Sequence, residues 1–182
     1  ELVPRIQAAA RQLQLPQPQI VVTQYAGQAR EAAHRYAASG TPAALYACGG
    51  DGTLNELVQG AAGSANVAVG CVPCGSGNDY VRNFGAAGQA PFLDFAAQLQ
   101  AQPCRVDLLQ TSLGIGIDIC AAGLDAQVAY GIPKFRRLPG CGGTAAYTLS
   151  ILQAMLSRFG HKLRVAIDGK EYTGTYMMAA IC

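Results

Sequence analysis

A glycine-rich segment, residues 49–56, constrains the fold of this chain more than any other feature of the sequence. It reads Gly-Gly-Asp-Gly-Thr-Leu-Asn-Glu, follows the apolar residues 43–48 directly and leads into a helical pattern. Glycine permits positive φ values and lets the backbone approach a bulky anion closely. Thr53 and Glu56 have the spacing of a capping box, which predicts a helix N-terminus and its positive dipole end beside the loop. The segment predicts a phosphate-binding turn, although a tight strand-to-helix connector would use glycine in the same way.

Up to about residue 102, short apolar runs alternate with helical patterns, which is typical of a parallel α/β layer. The first helix is expected to contain Ile6, Ala10 and Leu13 and to end by Pro16. The other predicted helices are 28–39, 53–62, a short stretch around 80–84, and 94–102, and the predicted strands are 20–23, 43–48 and 67–72.

After Pro103 the sequence becomes rich in β patterns, and we expect a domain boundary near residues 102–108. Strands are predicted at 105–109 and 113–120, a hairpin turn at Asp168-Gly169 follows the alternating residues 163–167, and residues 176–181 are apolar. Residues 145–159 are predicted to form a helix. The expected domains are residues 1–102 and 103–182. Because the chain opens on a helix and stops inside an apparent strand, we expect it to be a fragment of a longer protein.

Composition excludes several classes of protein. The chain has 182 residues, 51% of them hydrophobic, and a net charge of +2. A core can therefore form, and the long basic surface of a nucleic-acid-binding protein is not expected. No apolar run of about 18 residues indicates a membrane span, so a cytoplasmic location is expected. The seven cysteines are predicted to be packing residues in a reducing compartment, and the single Cys71-x-x-Cys74 motif is not expected to bind zinc.

A second glycine loop, residues 75–79, follows the predicted strand 67–72 and reads Gly-Ser-Gly-Asn-Asp. Loops that follow neighbouring parallel strands lie together at the carboxyl edge of the sheet, where open α/β sheets bind ligands. Neither loop matches the Walker pattern or Gly-x-Gly-x-x-Gly, which disfavours a P-loop NTPase and a Rossmann dehydrogenase. The two loops together predict a ligand site at this edge.

Three motifs carry a resemblance to a known family. They are residues 49–56, residues 72–80 (Val-Pro-Cys-Gly-Ser-Gly-Asn-Asp-Tyr) and residues 122–126 (Ala-Gly-Leu-Asp-Ala). In this order and spacing they resemble the diacylglycerol kinase catalytic domain family, which includes bacterial lipid kinases, sphingosine kinases and ceramide kinases. NAD kinases share the beginning of the first motif, so the segment Gly-Ser-Gly-Asn-Asp is what favours the lipid kinases. The resemblance covers essentially the whole chain.

The resemblance implies an N-terminal three-layer α/β domain with a parallel sheet, of the kind found in NAD kinases and diacylglycerol kinases. A β-rich sandwich domain for the lipid, truncated here, would follow it, and ATP with Mg²⁺ would bind in the cleft between the domains. Ser76 stands where the family usually has Thr, and Thr23 would line the nucleotide site unless it is an ordinary strand-end residue. The residues assigned to the nucleotide in this way are Thr23, Gly49, Gly50, Asp51, Gly52, Thr53, Leu54, Asn55, Glu56, Gly75, Ser76 and Asn78.

The same resemblance assigns the catalytic carboxylates to Asp51 and Asp79. Phosphoryl transfer requires positioning and charge cancellation more than a covalent nucleophile. Asp51 would act with Mg²⁺, through water, or orient the acceptor hydroxyl. Asp79 and Asp107 would support the metal through water, or else cap a helix and satisfy a hairpin. Asp125, in the third motif, is more simply interpreted as a helix N-cap.

We therefore expect an ATP-dependent lipid kinase that phosphorylates the hydroxyl of diacylglycerol or a related lipid. The alternatives are an NAD kinase-like enzyme and a non-catalytic nucleotide- or lipid-binding protein. The family's Asn-Pro-x-x-Gly loop is expected before Glu1, and its general base after Cys182, so the fragment alone is expected to bind nucleotide weakly at most.

A basic stretch provides a candidate membrane contact. Lys134, Arg136 and Arg137 are predicted to lie in a loop, where they would touch anionic lipid headgroups or remain solvated. Arg82, after the second glycine loop, could reach a phosphate or lie over its own helix. The sequence leaves a homodimer open and does not identify the lipid.

Overall fold

The structure, a computed structural model, describes residues 2–156 and 160–182. The chain divides into two units, the first ending at Asp118 and the second beginning at Ile119. This division falls after the predicted boundary at residues 102–108, because the β-hairpin of residues 109–116 is part of the first unit. Within the described residues no helix has both the length and the apolar character needed to cross a bilayer.

The first unit contains the alternating pattern of helices and strands that the sequence predicts. In chain order its elements are α1 (Leu2–Gln12), α2 (Gln28–Ser39), β1 (Ala43–Gly49), α3 (Asp51–Ala61), β2 (Val67–Pro73), α4 (Asp79–Arg82), α5 (Gly85–Gln89), a 3-10 turn (Ala90–Leu93), α6 (Phe95–Gln100), β3 (Leu109–Thr111) and β4 (Gly114–Gly116). Strands β1 and β2 are parallel, with Ala43 opposite Val67 and Gly49 opposite Pro73. The chain therefore forms a βαβ unit whose two strands end side by side.

Helix α3 is the centre of this unit. It contacts α2 on one side and β1 and β2 on the other. Its buried residues Leu54, Leu57 and Val58 join the main core with residues of α2 and both strands. Gly60 allows α2 to approach, because a Cβ added there would lie 2.3 Å from the carbonyl oxygen of Arg30. Burial of one apolar helix face against a sheet and a second helix is the main stabilising contact here.

One predicted strand of this unit does not form, and one predicted helix begins earlier than expected. Residues 20–23, predicted as a strand, form neither helix nor strand, and the Val22 side chain is 70% exposed. The β-branched residues there have strand propensity, but β-propensity depends on packing against neighbouring strands, and this segment lacks a paired strand within the described residues. Helix α3 begins at Asp51 rather than Thr53, with Gly50 as its N-cap and no side-chain cap hydrogen bond, so the predicted capping box does not form.

The second unit combines short antiparallel sheets with two helices. Its elements are β5 (Cys120–Gly123), α7 (Leu124–Arg136), α8 (Gly143–Leu156), β6 (His161–Ile167), β7 (Lys170–Tyr176) and β8 (Met178–Ile181). Strand β5 pairs with β8, and β6 with β7 around the predicted Asp168-Gly169 turn. Positive φ values of 49° and 80° at the two turn residues fit a type I′ hairpin. Phe159, the predicted end of the long helix, lies outside the described residues.

Helix α7 was not predicted, and it overturns the loop expected around residues 133–139. It contains Gly131 and Pro133, both of which disfavour a helix interior. Gly131 is required by packing, because a Cβ there would lie 2.1 Å from the Ser150 hydroxyl oxygen of α8. That hydroxyl is buried and donates to the Val128 carbonyl at 2.6 Å. Asp125 lies in the first turn of α7, and the N-cap is Gly123, so the predicted N-cap role of Asp125 is wrong.

The chain has a mixed α/β fold with a parallel sheet, followed by further β strands in its C-terminal part. This agrees with the predicted fold class. The strands predicted at 105–109 and 113–120 are shorter than expected, since β3 begins at Leu109 and β4 covers only Gly114–Gly116. The predicted helix at 94–102 is α6, and Asp94 is its N-cap.

Candidate active site

The two glycine loops meet at the carboxyl ends of β1 and β2, as predicted. The backbone N–H of Cys74 donates to the Gly49 carbonyl at 2.8 Å, which extends the parallel ladder past the last strand residues. Just beyond it the backbones of Gly50 and Gly75 touch. A Cβ on Gly75 would lie 2.5 Å from the Gly50 Cα atom, and one on Gly50 would lie 3.1 Å from the Gly75 Cα atom. Gly75 therefore requires glycine for a packing reason, whatever it binds, and a side chain at Gly50 would be tightly packed against it.

Asp51 ties the first loop to the second. Its Oδ2 atom accepts the backbone N–H of Asn78 at 2.8 Å, and its Oδ1 atom accepts that of Asp79 at 2.7 Å. Both donors belong to the start of α4, where backbone N–H groups have no helical partner. Each carboxylate oxygen has a second lone pair, so the two bonds leave further acceptor capacity for water or a cation.

Asn78 closes the second loop on itself. Its Oδ1 atom accepts the Gly75 N–H, and its Nδ2 group donates to the Gly75 carbonyl, both at 2.9 Å. The residue has φ 56°, in the left-handed region that asparagine tolerates better than most side chains. Together with the Asp51 contacts, these two hydrogen bonds fix the loop in one conformation.

Gly77 lies close against two carboxylates. A Cβ added there would lie 2.8 Å from Asp51 Oδ2 and 3.3 Å from Asp79 Oδ2. Magnesium in kinase sites is held by one or two carboxylates together with substrate phosphates and water. The described residues contain no cluster of three or more His, Cys, Asp or Glu side chains that could hold a metal alone. Asp51 and Asp79 thus fit a cation that takes its remaining ligands from the nucleotide and water.

The rest of the first motif faces inward or toward other segments. Thr53 lies against Gly49, because a Cβ there would be 2.5 Å from the threonine Oγ1. Leu54 is 5% exposed and packs in the core, so of its groups only the backbone can contact a nucleotide. Asn55 Oδ1 accepts the Ile117 N–H at 3.3 Å, and Glu56 Oε1 accepts the Gly27 N–H at 2.8 Å.

A cleft of about 220 Å³ lies against the second loop and α4, with Pro73, Gly77, Asn78 and Arg82 among its lining residues. This is below the range of about 300–1,000 Å³ typical of pockets that enclose a whole ligand. It can take only part of a nucleotide. Arg82 Nη1 is 3.4 Å from Asp79 Oδ1, in an exposed ion pair at the mouth of the cleft.

The sequence did not indicate one residue of this site, Gly77, or one nearby contact, between Asn83 and Asp118. Gly77 was not among the predicted site residues, although it belongs to the second glycine loop and borders both carboxylates. The side chain of Asn83, just after α4, donates to Asp118 Oδ1. Asp118 has φ 81°, which no sequence pattern signals for an aspartate. Ser76, the Thr23 side chain and Asp107 are exposed.

The local environment keeps the thiol of Cys71 protonated. Burial, and then the negative charge of Asp51, raise the Cys71 pKa from 9.0 to about 11. Burial also raises the pKa of Cys48, with Cys74 as the lesser cause. All seven cysteines are free thiols. Cys71 is therefore an inert packing residue next to the site, as predicted. The same prediction is wrong for Cys48, Cys74, Cys104 and Cys182, which are exposed.

Comparison with known proteins identifies the family. Residues 1–111 match the diacylglycerol kinase catalytic domain. Over 135 residues the chain is 29% identical to the diacylglycerol kinase of Bacillus subtilis, an alignment that covers 74% of this chain and 44% of the relative. Over 111 residues it is 34% identical to a Chromohalobacter salexigens protein named "Probable lipid kinase YegS-like", covering 59% of this chain and 34% of the relative. The chain thus matches less than half the length of these curated relatives.

The fold also matches a solved structure. A crystal structure from Bacillus anthracis, described as that of "a putative diacylglycerol kinase", superposes with a TM-score of 0.62 at 21% identity. The match covers 98% of this chain and 55% of the other. At this identity the likeness concerns the fold alone, and it agrees with the family assignment from sequence. The chain belongs to the diacylglycerol kinase catalytic domain family.

Proposed function

We propose that the protein containing this chain is an ATP- and Mg²⁺-dependent lipid kinase that phosphorylates the free hydroxyl of diacylglycerol or a related lipid. The observation that carries the proposal is the joint between the glycine loops. Gly50 and Gly75 are in backbone contact, and the carboxylates of Asp51 and Asp79 both lie close against Gly77. Such a site offers small residues for the approach of phosphates and two carboxylates for a cation.

In this proposal Gly52, where an added Cβ would meet nothing within 4 Å, leaves room for the phosphates, and backbone N–H groups near the start of α3 face the negative charge. Asp51 and Asp79 hold Mg²⁺, directly or through water, and when bound the ion neutralises charge that develops on the transferred phosphoryl group. Asp51 has a second task, because its bonds to Asn78 and Asp79 keep the two loops in register. Asn78 maintains the shape of the second loop.

A lipid acceptor is favoured over NAD by the second motif and by the names of the relatives, diacylglycerol kinase and lipid kinase. The decisive experiment offers γ-labelled ATP and Mg²⁺ to the full-length protein with diacylglycerol, other lipid alcohols and NAD in parallel. Phosphate transfer to a lipid is expected. Transfer to NAD alone would favour an NAD kinase-like enzyme, and ATP binding without any transfer would favour a non-catalytic nucleotide sensor.

Contact with the bilayer belongs to the same proposal. Lys134 and Arg136 lie in the last turn of α7, and Arg137 is its C-cap. Basic residues next to an anionic membrane surface each contribute about 1 kcal/mol of binding. We therefore propose that this basic cluster, Lys134, Arg136 and Arg137, contacts the membrane that supplies the lipid.

A further inference from the structure

Glu56 makes a long-range contact that the phosphate-binding role of its motif does not explain. It lies in the second turn of α3, and its Oε1 atom accepts the Gly27 N–H at 2.8 Å, from a donor 29 residues earlier in the chain. Gly27 is the N-cap of α2 and has φ 93°. Backbone N–H groups at a helix start have no partner within the helix, and a carboxylate there is also favoured by the helix dipole. Glu56 therefore anchors the start of α2.

The contact at Gly60, one helical turn further along α3, fixes how the two helices lie. A Cβ on Gly60 would be 2.3 Å from the Arg30 carbonyl oxygen and 2.8 Å from the Ala33 Cβ, so the backbones are in direct contact. Glu56 meets the first residues of α2, and Gly60 meets residues further along it. The helices consequently run in the same direction, and the loops that precede them lie at the same end. The loop before α2 is residues 23–27.

We propose that Glu56 is a positioning residue for the nucleotide. It holds residues 23–27, with Thr23, on the side of the first glycine loop, and it does so through the Gly27 N–H rather than by touching phosphate. The carboxylate already accepts a backbone donor, and a second anion beside it would be repelled. The inference rests on the proposed function, because it specifies how one wall of that nucleotide site is held.

Three substitutions in the full-length protein separate the hydrogen bond from the charge. Glu56→Gln keeps an acceptor oxygen at the same reach without the charge. Glu56→Asp keeps the charge but shortens the side chain by one methylene, and Glu56→Ala removes both. We expect the Asp and Ala variants to raise KM for ATP about tenfold with kcat changed much less, and the Gln variant to restore most of the affinity. Gln59→Ala, on the same contact between α2 and α3, is the matched control and is expected to leave KM unchanged.

Amide hydrogen exchange provides a readout that does not depend on activity. Exchange of a peptide covering residues 24–30 is expected to accelerate in the Asp and Ala variants and to stay slow in the Gln variant. A Gln variant as impaired as the Ala variant would overturn the proposal, because the charge itself would then be needed. Unchanged exchange and unchanged KM in the Asp variant would also overturn it. If the Glu56→Ala protein does not fold, the comparison of Glu56→Asp with Glu56→Gln still tests the proposal. A wild-type protein inactive on every lipid would refute the proposed function, while the exchange difference would still test the role of Glu56.

Discussion

Asp51 uses both carboxylate oxygens to bond backbone amides, and this distinguishes it from an ordinary capping aspartate. Asp94, the N-cap of α6, accepts the N–H groups of Ala96 and Ala97 with a single oxygen, Oδ1. An amide side chain can replace a carboxylate that uses one oxygen, because its carbonyl remains an acceptor. It cannot replace one that uses two, because its NH₂ group would then face a second donor.

This difference gives a matched pair of substitutions. Asp51→Asn is expected to lower the free energy of unfolding by about 1–3 kcal/mol, since one backbone N–H near Asn78 is left without an acceptor. Phosphate transfer by the full-length protein is expected to fall by about 100-fold or more. Asp94→Asn is expected to change stability by less than about 0.5 kcal/mol, because asparagine caps helices as well as aspartate. Urea unfolding and the lipid kinase assay measure both effects, and a fully active Asp51→Asn protein would contradict the proposed role.

Cys71 gives a prediction about pH. The ordinary pKa of a cysteine thiol is 9.0, and the fold raises that of Cys71 to about 11. The folded protein therefore holds this proton more tightly than the unfolded chain does. The stability that comes from this tighter proton binding is fully present below pH 9 and is lost as the pH rises toward 11. Cys71→Ala is expected to weaken the fall in unfolding free energy between pH 8 and pH 11, measured under reducing conditions. Tyr46 and Cys48 also have raised pKa values, but they are present in both proteins. The pKa of Tyr80 is raised mainly by burial and then by Cys71, so that lesser part is removed together with the thiol. Parallel stability profiles for the two proteins would show that the shift is absent.

At the scale of elements, α3 carries two glycines with opposite surroundings. A Cβ on Gly52 would meet nothing within 4 Å, whereas one on Gly60 would meet the backbone of α2 at 2.3 Å. Alanine is favoured over glycine in a helix by at most about 1 kcal/mol. Overpacking a tight contact costs about 1–3 kcal/mol. The steric term therefore dominates at Gly60 and is absent at Gly52.

We predict that Gly60→Ala destabilises the protein by about 1–3 kcal/mol, while Gly52→Ala leaves stability unchanged or raises it by up to about 1 kcal/mol. If phosphate approaches the backbone at Gly52, the same alanine will raise KM for ATP despite the intact fold. Urea unfolding and ATP titration of the two variants separate packing from binding. A Gly52→Ala protein with unchanged KM would place the phosphates elsewhere.

Elements also show where local sequence information is sufficient. Helix α2 has the predicted bounds, and β1 and β2 each extend one residue beyond the prediction, because apolar periodicity and flanking glycines mark these elements locally. Residues 20–23 have β propensity without a paired strand, and α7 contains Gly131 and Pro133. In both cases packing, which local propensity does not describe, decides the conformation.

At the scale of the whole molecule, the proposed membrane contact of the basic cluster on α7 can be tested directly. Replacing Lys134, Arg136 and Arg137 by glutamine is expected to weaken binding of the full-length protein to anionic vesicles by about 100-fold at low salt. The effect should shrink as ionic strength rises, because salt screens surface charges. Vesicle sedimentation with anionic and neutral lipids measures it.

A control with the same change in net charge tests whether the position of the charges matters. Glutamine at Lys162, Arg164 and Lys170, on strands β6 and β7, removes three positive charges elsewhere in the second unit. This variant is expected to bind anionic vesicles nearly as well as the wild type. Equal losses in both triple variants would mean that only net charge matters, and that the cluster is not a membrane contact.

The sequence by itself determined the family, the βαβ unit and the position of both glycine loops at the ends of its strands. These features follow from local patterns: apolar runs of strand length, helical periodicity and glycine where the chain must turn. It also singled out Asp51 and Asp79 as the carboxylates of the site, a role that remains a prediction.

Only the tertiary structure decided what the side chains of the first motif contact. Asp51 bonds residues 27 and 28 positions later, Glu56 bonds one 29 positions earlier, and Asn55 bonds one 62 positions later. The local pattern instead predicted a Thr53–Glu56 capping box, which does not form. Partners so far apart in the chain are brought together by the packing of α3 against α2 and the sheet, and no local pattern of residues specifies that packing.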